Sequence, residues 1–474
     1  MASIESIQGA VCIICGVALI LLEIGYLITG TEKGGKLWND FSDGRYYKPW
    51  GNTWGSLARP VVINPSRREM TELSEAKALS QRAAYSDMFG FQHTMNGISH
   101  TEQETSLLRT RLYSRLLQVR GPTNLKVIYP TLQKQLETVL LQQLEKGKLN
   151  ADGSLSIRLA PTIRTMSSRL MAQLFFGENA ATDETFAESL LAYSADMVRC
   201  MAVFQFFPRY LTKHVHKLIT RNGRAMHFLQ NRFKKMMAGN DGEMHNTILR
   251  DMVELTREQN SQYWTVGVIS QSLLGIWFAA SHQPWMNLDF VLLELAQRPE
   301  WQAQLREEIG DHSRLDYQAL VQLPYLDSFI KETVRMNPLD NYAIRRKALQ
   351  NYHFANGGWL IRTGVVACVS AIDILRNKDV YPNPDEWDGN RFVTTTSPVQ
   401  GSKFSDVSEH FPTWGFGALA CPGRFHAALV MKIILAHIVS HYELTLESKG
   451  RTKFMWESFT LPYDSTRVSL KKID

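Results

Sequence analysis

The sequence predicts a mostly α protein with a small β region, preceded by one N-terminal transmembrane helix. Three observations predict it. Residues 7–28 are apolar except for Gln8 and Glu23, a run of 22 residues, and about 20 apolar residues span a bilayer as a helix. From Arg68 to Arg298 apolar residues recur at helical spacing with few interruptions. Short β-rich runs bounded by Gly, Asn and Pro follow.

The apolar run has no basic flank before it and no small-residue cleavage site, so it reads as an uncleaved anchor. Lys33, Lys36, Arg45 and Lys48 follow it, while only Glu5 precedes it. The positive-inside rule then leaves the body in the cytosol, on an endoplasmic reticulum membrane crossed once. Residues 29–60 form a membrane-proximal linker rich in Gly, Trp and Tyr, which suits lipid contact. Residues 61–474 form the globular body. Its helices are expected at Arg68–Ala84, Glu102–Val119, Leu125–Glu145, Pro161–Phe176, Asp183–Val203, Lys213–Met237, Trp264–Arg298 and Pro324–Met336. Strands are expected at Arg59–Pro65, Tyr352–Phe354, Gly364–Val369 and Arg467–Leu470, with Asn356-Gly357-Gly358 as a turn.

Of the 474 residues 44% are hydrophobic and 21% charged, with a net charge of +6. These are globular values, and without a basic block they give no reason to expect nucleic acid. The five cysteines (12, 15, 200, 368 and 421) are too scattered for a disulfide framework and imply a reducing compartment.

The most informative stretch is Trp414-Gly-Phe-Gly-Ala-Leu-Ala-Cys421-Pro422-Gly423-Arg424. Glycines permit close backbone approach. Pro422 fits the first turn of the apolar helix that follows. A cysteine at a helix N-terminus feels the positive end of the dipole, which favours thiolate. A thiolate offered from a Gly-rich loop to a flat, bulky partner is what axial ligation of haem iron requires. A second motif lies upstream. Glu332 and Arg335 share one face of the Pro324–Met336 helix, and Trp387-Asp-Gly-Asn-Arg391-Phe392 comes some fifty residues later.

Together these stretches resemble the cytochrome P-450 family, and the order of elements resembles it over nearly the whole chain. The style is that of fungal, membrane-anchored members from secondary-metabolite pathways. The resemblance implies the cytochrome P-450 fold, a triangular helical haem-thiolate body. It implies haem b as cofactor and Cys421 as the axial iron ligand. Trp414, Gly417 and Gly423 would cradle the haem. Glu332, Arg335 and Arg391 would form a buried structural cluster.

The resemblance also exposes departures. In the family the long central helix carries an acid followed by threonine. Here His282 and Gln283 stand at those positions, with Pro284 next. Gln283 has no hydroxyl to pass on a proton, whereas His282 is expected to titrate near neutral pH and to shuttle protons. Both are candidate catalytic residues. Pro284 removes the hydrogen bond to the Ala280 carbonyl and predicts a kink. Trp277, Phe278 and Trp285 are expected near the pocket. Leu419 stands where the family has Arg or His toward a haem propionate. Arg109 and Arg346 are the replacements carried forward, with Arg111 and Arg345 as neighbouring alternatives.

The implied function is a haem-thiolate monooxygenase oxidising a small lipophilic natural product, terpenoid or meroterpenoid in class. It would use dioxygen and electrons from a separate NADPH-cytochrome reductase. One alternative is a haem-thiolate enzyme of rearrangement, dehydration or cyclisation. Another is a haem-binding protein without catalysis.

Overall fold

The computed structural model describes residues 60–95, 108–109, 111–113, 115–116, 122–204, 207, 210–239, 246–393, 403–417 and 420–473. The expected anchor at 7–28 and most of the linker lie outside these. No helix among the described residues is long and apolar enough to cross a membrane.

The described chain opens with β1 (Val61–Val62), α1 (Arg67–Glu75), β2 (Leu79–Ser80) and α2 (Gln81–Phe89). The sequence reads α1 and α2 as one helix. Two N-caps divide them: Ser66 accepts the Glu69 N–H and Ser80 accepts the Ala83 N–H. Each cap starts its own helix, and the residues between pair with a strand, Leu79 opposite Ala348.

The helical body continues with α3 (Pro122–Leu144), α4 (Leu159–Phe176), α5 (Glu184–Phe204), α6 (Thr212–Ile219), α7 (Arg224–Ala238), α8 (Ile248–Glu258), α9 (Val266–Ala296), α10 (Pro299–Ile309) and α11 (Pro324–Met336). The last helix is α12 (Arg424–His441). The sequence expects α6 and α7 as one helix. Arg221, Asn222 and Gly223 instead take φ of 50°, 59° and 70°, a left-handed run that no α-helix continues. Of the expected helix Glu102–Val119, only residues within 108–116 are described, and these are helical. α9 is apolar around most of its circumference, which places a helix in the middle of a fold. It packs against α4, α7, α11 and α12. Its helical assignment runs through Pro284 without a break.

Two four-stranded sheets flank the helices. One has the order β1, β8 (Val366–Ser370), β5 (Tyr342–Ala348), β2; only the β1–β8 pair is parallel. The other has the order β3 (Lys148–Leu149), β4 (Leu155–Arg158), β12 (Arg467–Lys472), β9 (Tyr442–Leu446). Two hairpins complete the set: β6 (Tyr352–His353) with β7 (Leu360–Ile361), and β10 (Lys453–Trp456) with β11 (Phe459–Pro462).

Between β8 and α12 the chain meanders, and buried charge holds it. Glu332 has no exposure. Its carboxylate takes two hydrogen bonds from Arg335, at 2.7 and 2.8 Å, and two from the Arg391 Nε–H, both at 3.1 Å. The spare donors reach the meander itself. Arg335 donates to the carbonyls of Leu375 and Pro384, and Arg391 to those of Pro382 and Glu386. Just beyond, Trp387 packs edge-on against Trp301 and Phe329. At Gly389 an added Cβ would sit 2.1 Å from the Trp301 ring, so only glycine passes there. A second buried pair, Lys432 to Asp327 at 2.6 Å, ties α12 to α11.

Removing one partner of such a cluster leaves an uncompensated buried charge, which costs about 3–5 kcal/mol. Arg391→Met is therefore expected to lower unfolding free energy by that amount, read from urea denaturation midpoints. A loss below about 1 kcal/mol, the worth of a surface pair, would contradict the buried-cluster reading.

Candidate haem site

The Cys loop is folded by its own backbone. The Cys421 N–H donates to the Trp414 carbonyl at 2.6 Å. The Trp414 indole N–H donates to the Phe404 carbonyl at 2.6 Å, and the two rings meet edge-on. Trp414 therefore fixes the loop where it leaves the meander. Gly417 takes φ of 67°, and a Cβ there would lie 3.3 Å from a Glu75 carboxylate oxygen. Ala418 and Leu419 lie outside the described residues. A Cβ on Gly423 would meet no protein atom within 4 Å.

The Cys421 sulfur accepts the N–H groups of Gly423 and Arg424 at the start of α12, and the Arg424 charge lies nearby. These favour thiolate, as the sequence leads one to expect. Burial outweighs them and holds the thiol above its ordinary pKa. A stable thiolate here needs a metal's positive charge.

The arginines separate clearly. Arg345 is spent: it grips Asp340 at 2.7 and 2.8 Å and donates to Ser458. Its neighbour Arg346 is 1% exposed. Arg346 donates to the Arg345 carbonyl, while its Nε–H has no partner. Burial pulls its pKa down to about 10, so it remains cationic at neutral pH and short of an anion. A bulge in β5 makes this divergence possible. Register shifts between Ala343 and Arg346, and Ile344 stands at φ 55°. A β-branched residue in that region is strained, and bulges re-aim side chains near active sites.

Arg109 is 5% exposed, and its Nε–H also has no partner. Its guanidinium lies over the Tyr263 ring, 5.4 Å from the centroid, and it is an electrostatic neighbour of Tyr113, whose hydroxyl bonds Ser272. Tyr263 and Ser272 mark the amino end of α9, and Ser272 is about 16 Å of helix from Gln283. The Tyr263 face gives the cation a local partner. Arg111 is exposed.

On α9 the open positions form one stripe. Ala279 and Gln283 are exposed, and Ile276 and Ala280 half-buried, in a helix otherwise largely buried. Positions three and four apart share a face, so these four look into one space. His282, about 100° round the helix, looks elsewhere. Its ring stacks on Phe278 at 5.4 Å and meets the edge of Trp285, which Arg164 covers at 4.3 Å. Burial, with Arg164 in support, drives its pKa down to about 3. The expectation that His282 titrates near neutrality is overturned: the ring stays neutral. Trp277 is also not at the pocket. It is fully buried against Phe175 and donates to the Leu190 carbonyl.

Two residues escaped the sequence reading. Tyr85 on α2 has Cys421 and Arg346 as electrostatic neighbours, and burial raises its pKa. Nothing in its local sequence marks it, because two separate elements bring it there. Asp289 is completely buried, neither of its oxygens has a partner, and burial lifts its pKa well above the carboxylate range. Its spacing of seven from His282 along one face of an apolar helix was the available signal. Cys421, Tyr85 and His282 keep part of their surface open although burial dominates the pKa of each.

Two features fit a haem: a sulfur ligand at Cys421 and a buried cation, Arg346, whose Nε–H has no partner and could meet a propionate. A charge-assisted hydrogen bond is worth about 1.5–3 kcal/mol, so Arg346→Leu is expected to release haem about tenfold faster or more. Measured as haem transfer to apomyoglobin, an unchanged rate would remove Arg346 from the site. His282 generates a pH dependence. Its folded pKa of about 3 lies below the ordinary 6.5, so the unfolded chain binds the proton more readily. Stability therefore falls as pH drops below about 6.5. His282→Phe should flatten this slope between pH 7 and pH 5 in urea titrations.

Comparison with known proteins places this geometry. A family model described as Cytochrome P450 matches residues 46–470. The cytochrome P450 monooxygenase ptmP of Penicillium ochrochloron is 30% identical over 329 residues, covering 64% of this chain and 72% of that protein. The cytochrome P450 monooxygenase penP of Penicillium crustosum is 27% identical over 437 residues, covering 87% of this chain and 80% of that one. The structure of retinoic acid-bound cyanobacterial CYP120A1 is similar with a TM-score of 0.64 at 17% identity, over 85% of this chain and 86% of that one. The last likeness concerns fold alone. With a family model spanning most of its length, the chain belongs to the cytochrome P450 family, whose cofactor is haem held by a cysteine thiolate.

Proposed function

We propose that this P450 monooxygenase oxidises a lipophilic natural product of terpenoid or meroterpenoid class, drawing electrons from a separate NADPH-dependent reductase. The observation that carries this reading is the Cys421 sulfur held at the start of α12, with Tyr85 as an electrostatic neighbour of both Cys421 and the buried Arg346. When bound, haem with a thiolate ligand supplies oxygen activation by pushing electron density that favours O–O cleavage. The chain's own residues do the rest. Cys421 is the ligand, and Arg346 is the propionate partner. Ile276 and Ala279 offer a small apolar surface suited to a hydrocarbon substrate.

Proton supply differs from a threonine-based arrangement. Gln283 faces the open stripe and orients water or substrate through its amide, without a hydroxyl to relay. His282, neutral at working pH, relays by accepting at one nitrogen as it gives from the other, and is no source of stored protons. Residues 7–28 anchor the body in the endoplasmic reticulum membrane and 29–60 lie against lipid; this rests on hydropathy and charge asymmetry.

Lack of a hydroxyl at Gln283 favours one second reading, a rearrangement or cyclisation that needs no oxygen. Turnover of candidate substrates with reductase and dioxygen separates the two. A product formed only with NADPH, reductase and dioxygen, and lost in Cys421→Ala, is expected. The same product made anaerobically without reductant would exclude the monooxygenase. In the first case Gln283→Thr should raise product formed per NADPH consumed.

A further inference from the structure

Three histidines that the haem chemistry does not use lie together at the far end of α12. His437 and His441 are four apart and share one face of the helix. His312 comes from the short turn His312–Arg314 that follows α10. Ring centroids are 4.3 Å apart for His437 and His441, 4.8 Å for His312 and His441, and 5.3 Å for His312 and His437. One nitrogen from each ring can be chosen so that all three lie within 4.8 Å of one another. His437 is thirteen residues beyond Arg424, about 20 Å along the helix, so the cluster is separate from Cys421.

We propose that His312, His437 and His441 bind one divalent transition-metal ion, zinc foremost, with solvent completing the tetrahedron. Imidazole suits such ions, and a donor set of three nitrogens with no sulfur excludes those that demand thiolate. Zinc takes nitrogen at about 2.0–2.1 Å, which asks for nitrogens about 3.3 Å apart in a tetrahedron. The nitrogens lie up to 4.8 Å apart, so ring rotation has to close that gap. A further contact prepares one ligand. The His441 Nδ1 lies 2.8 Å from the His437 carbonyl. Donating there, it leaves the Nε2 lone pair free, as orienting hydrogen bonds do for metal-binding histidines. His312 and His441 are half-buried, so an ion has an entry path. Asp311 lies beside His312 and is occupied by Ser313 and Arg314, adding negative charge nearby without competing as a ligand. The ion would pin the turn after α10 to the end of α12. The C-terminal segment joins there, through the Ile473 N–H to the His441 carbonyl at 2.9 Å.

Full-length haem-loaded protein carrying no polyhistidine tag is stripped with chelator, given zinc, and passed through gel filtration. Zinc per haem is then measured by mass spectrometry, and affinity by competition with a chromogenic chelator. One tightly held zinc per haem is expected. His441→Phe keeps the ring packing but removes the nitrogen, and His312→Asn removes the ligand from the turn after α10. Each should weaken zinc binding by more than about a hundredfold, while His353→Asn, an exposed histidine elsewhere, should not. Haem content and the CO-difference spectrum verify that the variants are folded. Zinc should also raise the thermal midpoint of the parent protein and not of the two variants. No retained zinc in the parent, or equal affinity in His441→Phe, would overturn the site and leave a stack of rings.

Discussion

A carboxylate with no access to water, Glu332, is the constraint on which the haem side of this protein depends. Isolated, it would be among the most costly groups in the chain. Two guanidiniums and the Asp388 N–H satisfy it, and the guanidiniums then spend their remaining donors on meander carbonyls. The cluster is thus less an attraction between two charges than a set of fixed hydrogen-bond directions. An arginine fork is suited to this, because its donors are planar and rigid. The Cys loop follows that meander, so the position of Cys421 is set partly by groups that never touch haem.

Arg346 shows the opposite use of a buried charge. Arg345, next in the chain, is neutralised by Asp340, whereas Arg346 is left with an unbonded Nε–H. The strained Ile344 and the bulge around it let successive arginines take such different surroundings. Strain and unpaired charge both cost stability in the protein alone. Both are offset if an anion arrives at Arg346, which couples retention of the cofactor to the conformation of β5.

What could be read from sequence divides along physical lines. Helix α11 is bounded as expected, from Pro324 to Met336, because Pro324 starts it and Asn337-Pro338 stops it. The trio Glu332, Arg335 and Arg391 was identifiable because a motif fixes its members. The breaks between α1 and α2 and between α6 and α7 were not, since they depend on a cap at Ser80 and on left-handed residues before α7. Tyr85 was invisible because long-range packing brings it to Cys421. Sequence names Arg109 but not the Tyr263 ring beneath its guanidinium. The acidity of His282 lay furthest from reach. A histidine's pKa is set by what surrounds it, and Phe278, Trp285 and Arg164 come from two helices.

That last result bears on how α9 serves the reaction. The helix presents two chemically distinct faces around one turn. Ala279 and Gln283 look into the open stripe, while His282 and Asp289 lie on the side next to Arg164 and Asp464. The second face holds an imidazole whose pKa burial lowers to about 3 and a carboxyl whose pKa burial raises. A charged acid at His282 would sit directly beside Arg164 and be captured as an ion pair. A neutral ring there leaves Arg164 to Asp464, to which it is bonded at 2.5 Å. With an imidazole in place of an acid at this position, Arg164 keeps Asp464 as its ion-pair partner.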